Sequence, residues 1–249
     1  MKSYGWLKDV HDPRDYRFPI PKLYGFPQKV DLRPKCPPVY DQGQLGSCTA
    51  NAIAAAVEFE RMAQSLPDFV PSRLFIYYNE RAMEGSVSED AGAQIRDGIK
   101  SVAKLGACSE TEWPYDVSQF AVQPPAPCYQ SALHDKVIQY SRMVQSLNSM
   151  KTCLSMGFPF CFGFAVYDSF ESEQVAQTGI VPMPRASENQ LGGHAVLCVG
   201  YDNTTQQFIV RNSWSANWGL QGYMLMPFAY LLRGDLSSDF WNIKLVSRS

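Results

Sequence analysis

A thiol, an imidazole and two side-chain amides carry the most informative chemistry in this sequence. The stretch Asp41, Gln42, Gly43, Gln44, Leu45, Gly46, Ser47, Cys48 is a glycine-containing loop that delivers a cysteine to the start of a helical pattern. Unpaired backbone N–H groups and the positive end of a helix dipole stabilise negative sulfur, lowering a thiol from its usual pKa of ~8.5. The same N–H groups can hold an oxyanion. Gln42 precedes Cys48 across two glycines and can fold back so that its side-chain amide adds a second donor. Read more plainly, the stretch is a turn before a core helix.

A thiol nucleophile needs a base, and the sequence offers His11, His134 and His194. His11 lies among aspartates and His134 follows a proline-rich break, so both read as solvated. His194 follows Gly192 and Gly193 and opens an apolar strand, where glycines let a ring reach into a cleft. A base in turn needs a group to orient it, and Asn212 ends the strand that returns beside the one His194 opens. Trp214 and Trp218 follow, and an indole over a His/Asn hydrogen bond would exclude water from it. Core filling is the simpler role for both indoles.

Three kinds of element must position these groups. The run from Ala50 to Val57 is apolar almost all round and predicts a helix buried on every side, with Glu58, Glu60 and Arg61 marking its exit into solvent. Leu74, Phe75, Tyr78 and Ala82 keep helical spacing after Ser72, and Ile95, Ile99, Val102 and Leu105 do so before Gly106. Beyond the break at residues 123–127 the character turns to strands, near Val137 to Tyr140 and Phe158 to Val166. His194 to Tyr201 and Gln207 to Arg211 flank a short polar loop, the pattern of a hairpin, and Gly222 to Met226 suggests a third strand. Residues 1–27 are rich in Asp, Pro and aromatics without periodicity and read as an extended arm.

Bulk properties narrow the classes. With 249 residues, 45% of them hydrophobic, the chain can bury a full core without staples. A net charge of −2 supplies no basic field for nucleic acid, and no apolar run reaches the ~20 residues a membrane span needs. The chain therefore reads as soluble, and its compartment stays open. Its seven cysteines contain no Cys-x-x-Cys pair, which disfavours structural zinc. Cys198, among large apolar residues, reads as a buried thiol. Cys36, Cys108 and Cys128 lie near loop signals, and pairing among them stays open.

Gln42 through Cys48, the Gly-His-Ala of 193–195 and Asn212-Ser213-Trp214 together resemble the papain-like cysteine peptidases. Val30-Asp31-Leu32-Arg33 resembles the start of a mature peptidase of this family, and Trp113-Pro114-Tyr115, Trp218-Gly219 and Gly222-Tyr223 also fit. His194 and Asn212 follow Cys48 by 146 and 164 positions, against ~130–150 in papain and the cathepsins. An insertion accounts for the longer second interval.

The resemblance implies an α+β, papain-like two-lobed fold. A helical left lobe (about 28–127) would carry Cys48, an antiparallel β-barrel-like right lobe (about 128–249) His194 and Asn212, with the active-site cleft between. Residues 1–27 would form an N-terminal extension, either a cleft-blocking arm or a structural strap. The resemblance makes Cys48, His194, Asn212 and Gln42 catalytic and puts Gly92, Ala195 and Trp214 on the substrate-binding surface. It implies a monomeric endopeptidase acting on peptide or protein substrates, with no metal or cofactor. A deamidase or transglutaminase, or an inactive peptide-binding homologue, are the alternatives. Thr49 replaces the family's aromatic residue after the nucleophile, and Ser215 replaces a glycine. Leu45 stands where a family cysteine would be, so one familiar disulfide is absent.

Overall fold

The computed structural model describes residues 3–21 and 25–247, so the parts of the arm at residues 1–2 and 22–24 lie outside the described residues. Helices α1 (Cys48–Ala63), α2 (Arg73–Glu84), α3 (Ile95–Leu105) and α4 (Ala126–Ala132) precede α5 (Leu147–Ser155), α6 (Glu173–Thr178) and α7 (Phe228–Leu232). The strands are β1 (Trp6–Leu7), β2 (Lys29–Asp31), β3 (Ala93–Gln94), β4 (Val137–Arg142), β5 (Phe160–Tyr167), β6 (Gln190–Asp202), β7 (Gln207–Arg211), β8 (Tyr223–Pro227) and β9 (Ser237–Val246). The fold is α+β, with helices first and a mostly antiparallel sheet after them.

Small side chains explain how α1 runs through the middle. Ala50, Ala52, Ala54, Ala55 and Ala56 let other elements approach from every direction, and all are buried. The exit into solvent expected at Glu58, Glu60 and Arg61 does not occur, because all three are buried as well. Glu58 accepts the Tyr40 hydroxyl, while Arg61 pairs with Asp135 and donates to the Pro67 carbonyl. The Tyr40 and Asp135 contacts come from residues 18 and 74 positions away, which local periodicity does not register. The next two helices match their signals: Phe75 N–H donates to the Ser72 hydroxyl as α2 begins, and Gly106 ends α3 with φ of 80°.

The large sheet runs β4-β9-β5-β6-β7-β8, and β2 adds to β6. Among the described residues its end strands β4 and β8 do not pair, so the sheet is open and does not close into a barrel. The expected hairpin is β6 with β7, joined across Asp202 and Gln207, and β8 is the third strand. The first of these strands begins at Gln190, so His194 sits inside it rather than at its mouth.

The lobe division expected at 127/128 falls inside α4, whose Cys128 and Ala132 pack with Phe75 and Cys108 of the helical side. Residues 29–31, expected with the helices, join the sheet as β2. Ile53 and Phe59 of α1 share one buried cluster with Phe162, Val196 and Trp241 of the sheet, so the helices and sheet share a core.

Candidate active site

Cys48 opens α1 and is fully buried. Asp90 holds the preceding turn, since Gly46 N–H donates to both of its carboxylate oxygens at 3.0 Å. Tyr115 does so as well: its hydroxyl donates to the Gln42 carbonyl at 3.0 Å and also meets the Ser47 hydroxyl. The resemblance marks Asp90-Ala91-Gly92 only as a departure from a cleft-lining glycine pair and Trp113-Pro114-Tyr115 only as a matching motif; neither points to these hydrogen bonds. Thr49 donates to the buried Glu80 carboxyl at 2.6 Å, a polar pair where the resemblance would place an aromatic. Ser215 adopts φ of 65°, the left-handed backbone that explains a glycine at this place in relatives.

The imidazole is fixed on the facing sheet. His194 Nε2 lies 2.8 Å from Asn212 Oδ1, which also accepts the Ser213 N–H at 2.8 Å. That second donor orients the Asn212 amide oxygen toward the ring, so Nε2 carries the proton and Nδ1 is the basic nitrogen. Trp214 stacks on the ring at 4.9 Å between centroids, and Trp218 meets Trp214 edge-on at 5.3 Å. The N–H of Ala195, next to His194, faces the Cys48 sulfur, so helix α1 and the sheet meet at the thiol.

Gln42 is buried, its side-chain oxygen accepting the Ser213 hydroxyl at 2.6 Å and its amide nitrogen donating to the Leu45 carbonyl at 3.0 Å. The sequence-derived residues Gln42, Cys48, Ala195, His194, Asn212 and Trp214 therefore converge, and Gly92 flanks them. His11 and His134 are exposed. Cys198 is buried, as expected. Cys108 and Cys128 face each other, whereas Cys36 lies apart against Tyr223. Among the described residues no group of three His, Cys, Asp or Glu is placed to hold a metal ion.

The arm lies across this constellation. The Ser3 carbonyl accepts from the Gln42 amide nitrogen at 3.4 Å, and Gly5 N–H faces the Cys48 sulfur. A Cβ at Gly5 would stand 1.6 Å from the Gly46 carbonyl oxygen, and one at Gly92 would stand 2.1 Å from the Gly5 carbonyl oxygen. Tyr4 packs edge-on to His194 at 6.3 Å, and β1 pairs in parallel with β3. Burial pushes the Cys48 thiol up to about 12, against the smaller lowering by the N–H groups of Ala195, Gly5 and Thr49. With the arm in place burial favours the neutral form of the thiol.

The model of papain family cysteine proteases matches residues 26–230. A peptidase C1-like protein of Acanthamoeba polyphaga mimivirus is 46% identical, covering 99% of this chain and 88% of its own length. Digestive cysteine proteinase 1 of Homarus americanus is 30% identical over 80% of this chain, which spans 61% of that protein. The crystal structure of xylellain, a cysteine protease from Xylella fastidiosa, superposes with a TM-score of 0.92 at 46% identity, covering 98% of this chain and 96% of that one. With the matched segment spanning most of the sequence and the fold agreeing throughout, the chain belongs to the papain family of cysteine proteases, hydrolases that act on peptide bonds.

Proposed function

We propose that this protein is an endopeptidase that cleaves through Cys48, with His194 as base, Asn212 as the group that orients it, and Gln42 with the Cys48 N–H as the oxyanion hole. The observation that carries this reading is the hydrogen bond of 2.8 Å between His194 Nε2 and Asn212 Oδ1, held by the Ser213 N–H. It sets the tautomer that leaves Nδ1 able to take the thiol proton. The thiolate adds to a peptide carbonyl carbon, the oxygen taking the electron pair as an oxyanion. The intermediate collapses by breaking its C–N bond as the imidazolium protonates the leaving amine. Water, deprotonated by His194, then attacks the thioester and the C–S bond breaks.

Residues 3–7 act as the plug of this site. Gly5 presents its N–H to the sulfur, so the arm occupies the cleft beside the thiol. The Ser3 carbonyl meets Gln42, the Gly5 N–H faces the Cys48 sulfur and Trp6 lies against Gly163 and Gly193, so polypeptide passes across the site. That passage supports cleavage within a chain. When the arm leaves, the desolvation of Cys48 falls, and the helix start together with the imidazolium then favours the thiolate.

The test uses the full chain with Gly5→Val, which places a Cβ against the Gly46 carbonyl and expels the arm. An electrophilic peptide epoxide should label Cys48 in this protein and not after His194→Ala, and casein should yield new amino termini. Equal labelling of the His194→Ala form would sink the catalytic assignment. Ammonia release or cross-linking without new termini would replace the peptidase with a deamidase or transglutaminase.

A further inference from the structure

One chain of hydrogen bonds holds both oxyanion donors from behind. The peptide unit between Ser47 and Cys48 carries the Ser47 carbonyl at one end and the Cys48 N–H at the other. That carbonyl accepts from the Asn51 side-chain amide at 2.9 Å, in addition to the helical Asn51 N–H at 3.0 Å. A peptide unit is planar, so fixing its carbonyl fixes where its N–H points. Donation to the oxygen also polarises the unit and makes the N–H a stronger donor. The other hydrogen of the Asn51 amide goes to the Ser47 hydroxyl at 3.0 Å.

Arg73, the first residue of α2, sets the orientation of that amide. Its Nη1 donates to Asn51 Oδ1 at 3.2 Å, and because a guanidinium only donates, the amide must face it with its oxygen. The same Nη1 donates to the Asp41 carbonyl at 2.9 Å, one residue before Gln42. Glu110 fixes the other edge of the guanidinium, accepting from Nε at 2.8 Å and from Nη2 at 2.6 Å. The Tyr115 ring lies against it at 3.8 Å to the centroid. Since the Tyr115 hydroxyl donates to the Gln42 carbonyl, it accepts from the Ser47 hydroxyl. The chain thus runs from Arg73 through Asn51, Ser47 and Tyr115 to the Gln42 carbonyl, and Arg73 closes it at Asp41. Asn51 is 1% and Arg73 7% exposed, so water does not stand in for a lost member.

We propose that Arg73 and Asn51 are positioning residues for the oxyanion of the peptidase reaction. Asn51 aims the Cys48 N–H, and Arg73 orients Asn51 while it anchors the backbone from which the Gln42 amide reaches. Neither residue belongs to the motifs that carry the family resemblance. The inference rests on the peptidase reading above, but it concerns only how the carbonyl oxygen is held. Losing either residue therefore harms reactions of Cys48 that create an oxyanion and spares one that does not.

The test takes the full chain with Gly5→Val as parent and adds Asn51→Leu or Arg73→Met, each close in volume to the residue it replaces. Three reactions of Cys48 are compared. In peptide hydrolysis and in addition to a peptide aldehyde, the C–S bond forms as the carbonyl oxygen takes the π electron pair. Iodoacetamide is attacked at a saturated carbon: the C–S bond forms, iodide leaves with the C–I electron pair, and no oxyanion arises. In each variant kcat should fall about tenfold, less than the ~10²–10³ that outright loss of an oxyanion donor costs. The aldehyde inhibition constant should rise by a similar factor, while KM and the alkylation rate stay within about twofold of the parent. Tyr115→Phe removes a single hydroxyl and should show the same split at smaller size, which keeps the test decisive should the other two variants fold poorly. Unchanged kcat and aldehyde affinity, or an alkylation rate that falls together with them, would overturn the inference. A parent that cleaves no peptide sinks the peptidase reading, and the aldehyde series then decides alone. Weaker adducts in the variants retain the positioning role, whereas equal affinity, or no adduct with the parent, ends it.

Discussion

The two ends of the arm meet the same domain by different physics. Residues 3–7 carry no ion pair and fit by shape: backbone lies against backbone at Gly46 and Gly92, an indole covers two glycines, and the ladder to β3 is two residues long. Residues 9–18 are held mostly by charge. Arg96 meets Asp12, and Asp15 at 3.0 Å, while its N–H donates to Asp9 at 3.1 Å. Lys100 lies 3.3 Å and Arg142 3.5 Å from Asp15, and Phe18 is buried beyond them. The comparison separates two tasks. Close shape fit covers the thiol, whereas a cluster of opposite charges holds the segment in place without contact to the reacting groups.

Breaking the shape fit should have the largest effect. Gly5→Val should raise the rate of Cys48 labelling by roughly 10²-fold, as expected if the uncovered form is populated at ~1% in the wild type. A rate unchanged from wild type would mean that the arm does not limit access. Arg96→Ala removes the hub of the charged end and should raise labelling by about tenfold. High salt should then accelerate the wild type more than the variant, because the screened pairs are already gone. If the variant matches wild type in rate and salt response, the charges do not hold the arm.

A smaller effect is expected from pH. Burial and then the Asp239 carboxyl push Asp9 up to about 7, while Trp241, Arg96 and Arg142 act in the opposite direction. Its docked pKa is raised, so its contribution is fully present below the undocked value and is lost as pH rises through about 7. Asp12 does not offset this, because Arg14 and Arg96 keep it ionised throughout. Intrinsic-corrected amide exchange at residues 3–7 should be faster at pH 8.5 than at pH 5.5, and Asp9→Asn should flatten the difference. The fold should follow the same sign: burial pushes Glu58 and Glu84 up to about 7 and Glu60 to about 8, so Tm should fall between those pH values. A Tm that rises over this range would contradict the burial of these carboxyls. Least of all should Arg14→Ala matter, since its side chain is 87% exposed although it pairs with Asp12 at 2.8 Å. Labelling should stay within roughly twofold of wild type, and a change as large as that of Arg96→Ala would erase the distinction between hub and rim.

Much of the site was legible because its signals are local. The glycine loop before Cys48, the caps at Ser72 and Gly106, and the hairpin carrying His194 and Asn212 each lie within a short stretch, and each appears where it was expected. The burial of Glu58 and Arg61 was not legible, because the partners Tyr40 and Asp135 lie 18 and 74 positions away. The roles of Asp90, at 44 positions from Gly46, and of Tyr115, at 73 from Gln42, were hidden for the same reason.

The sequence by itself determined the kinds of groups, their order and the elements that present them, since residue chemistry, periodicity and caps act over a few residues. Only the tertiary structure decided what faces the thiol. The path of the arm depends on bare backbone at Gly46, Gly92, Gly163 and Gly193 and on charges at Arg96, Lys100 and Arg142. Those positions are scattered over about a hundred and fifty residues and become one surface only when the helices and the sheet pack together.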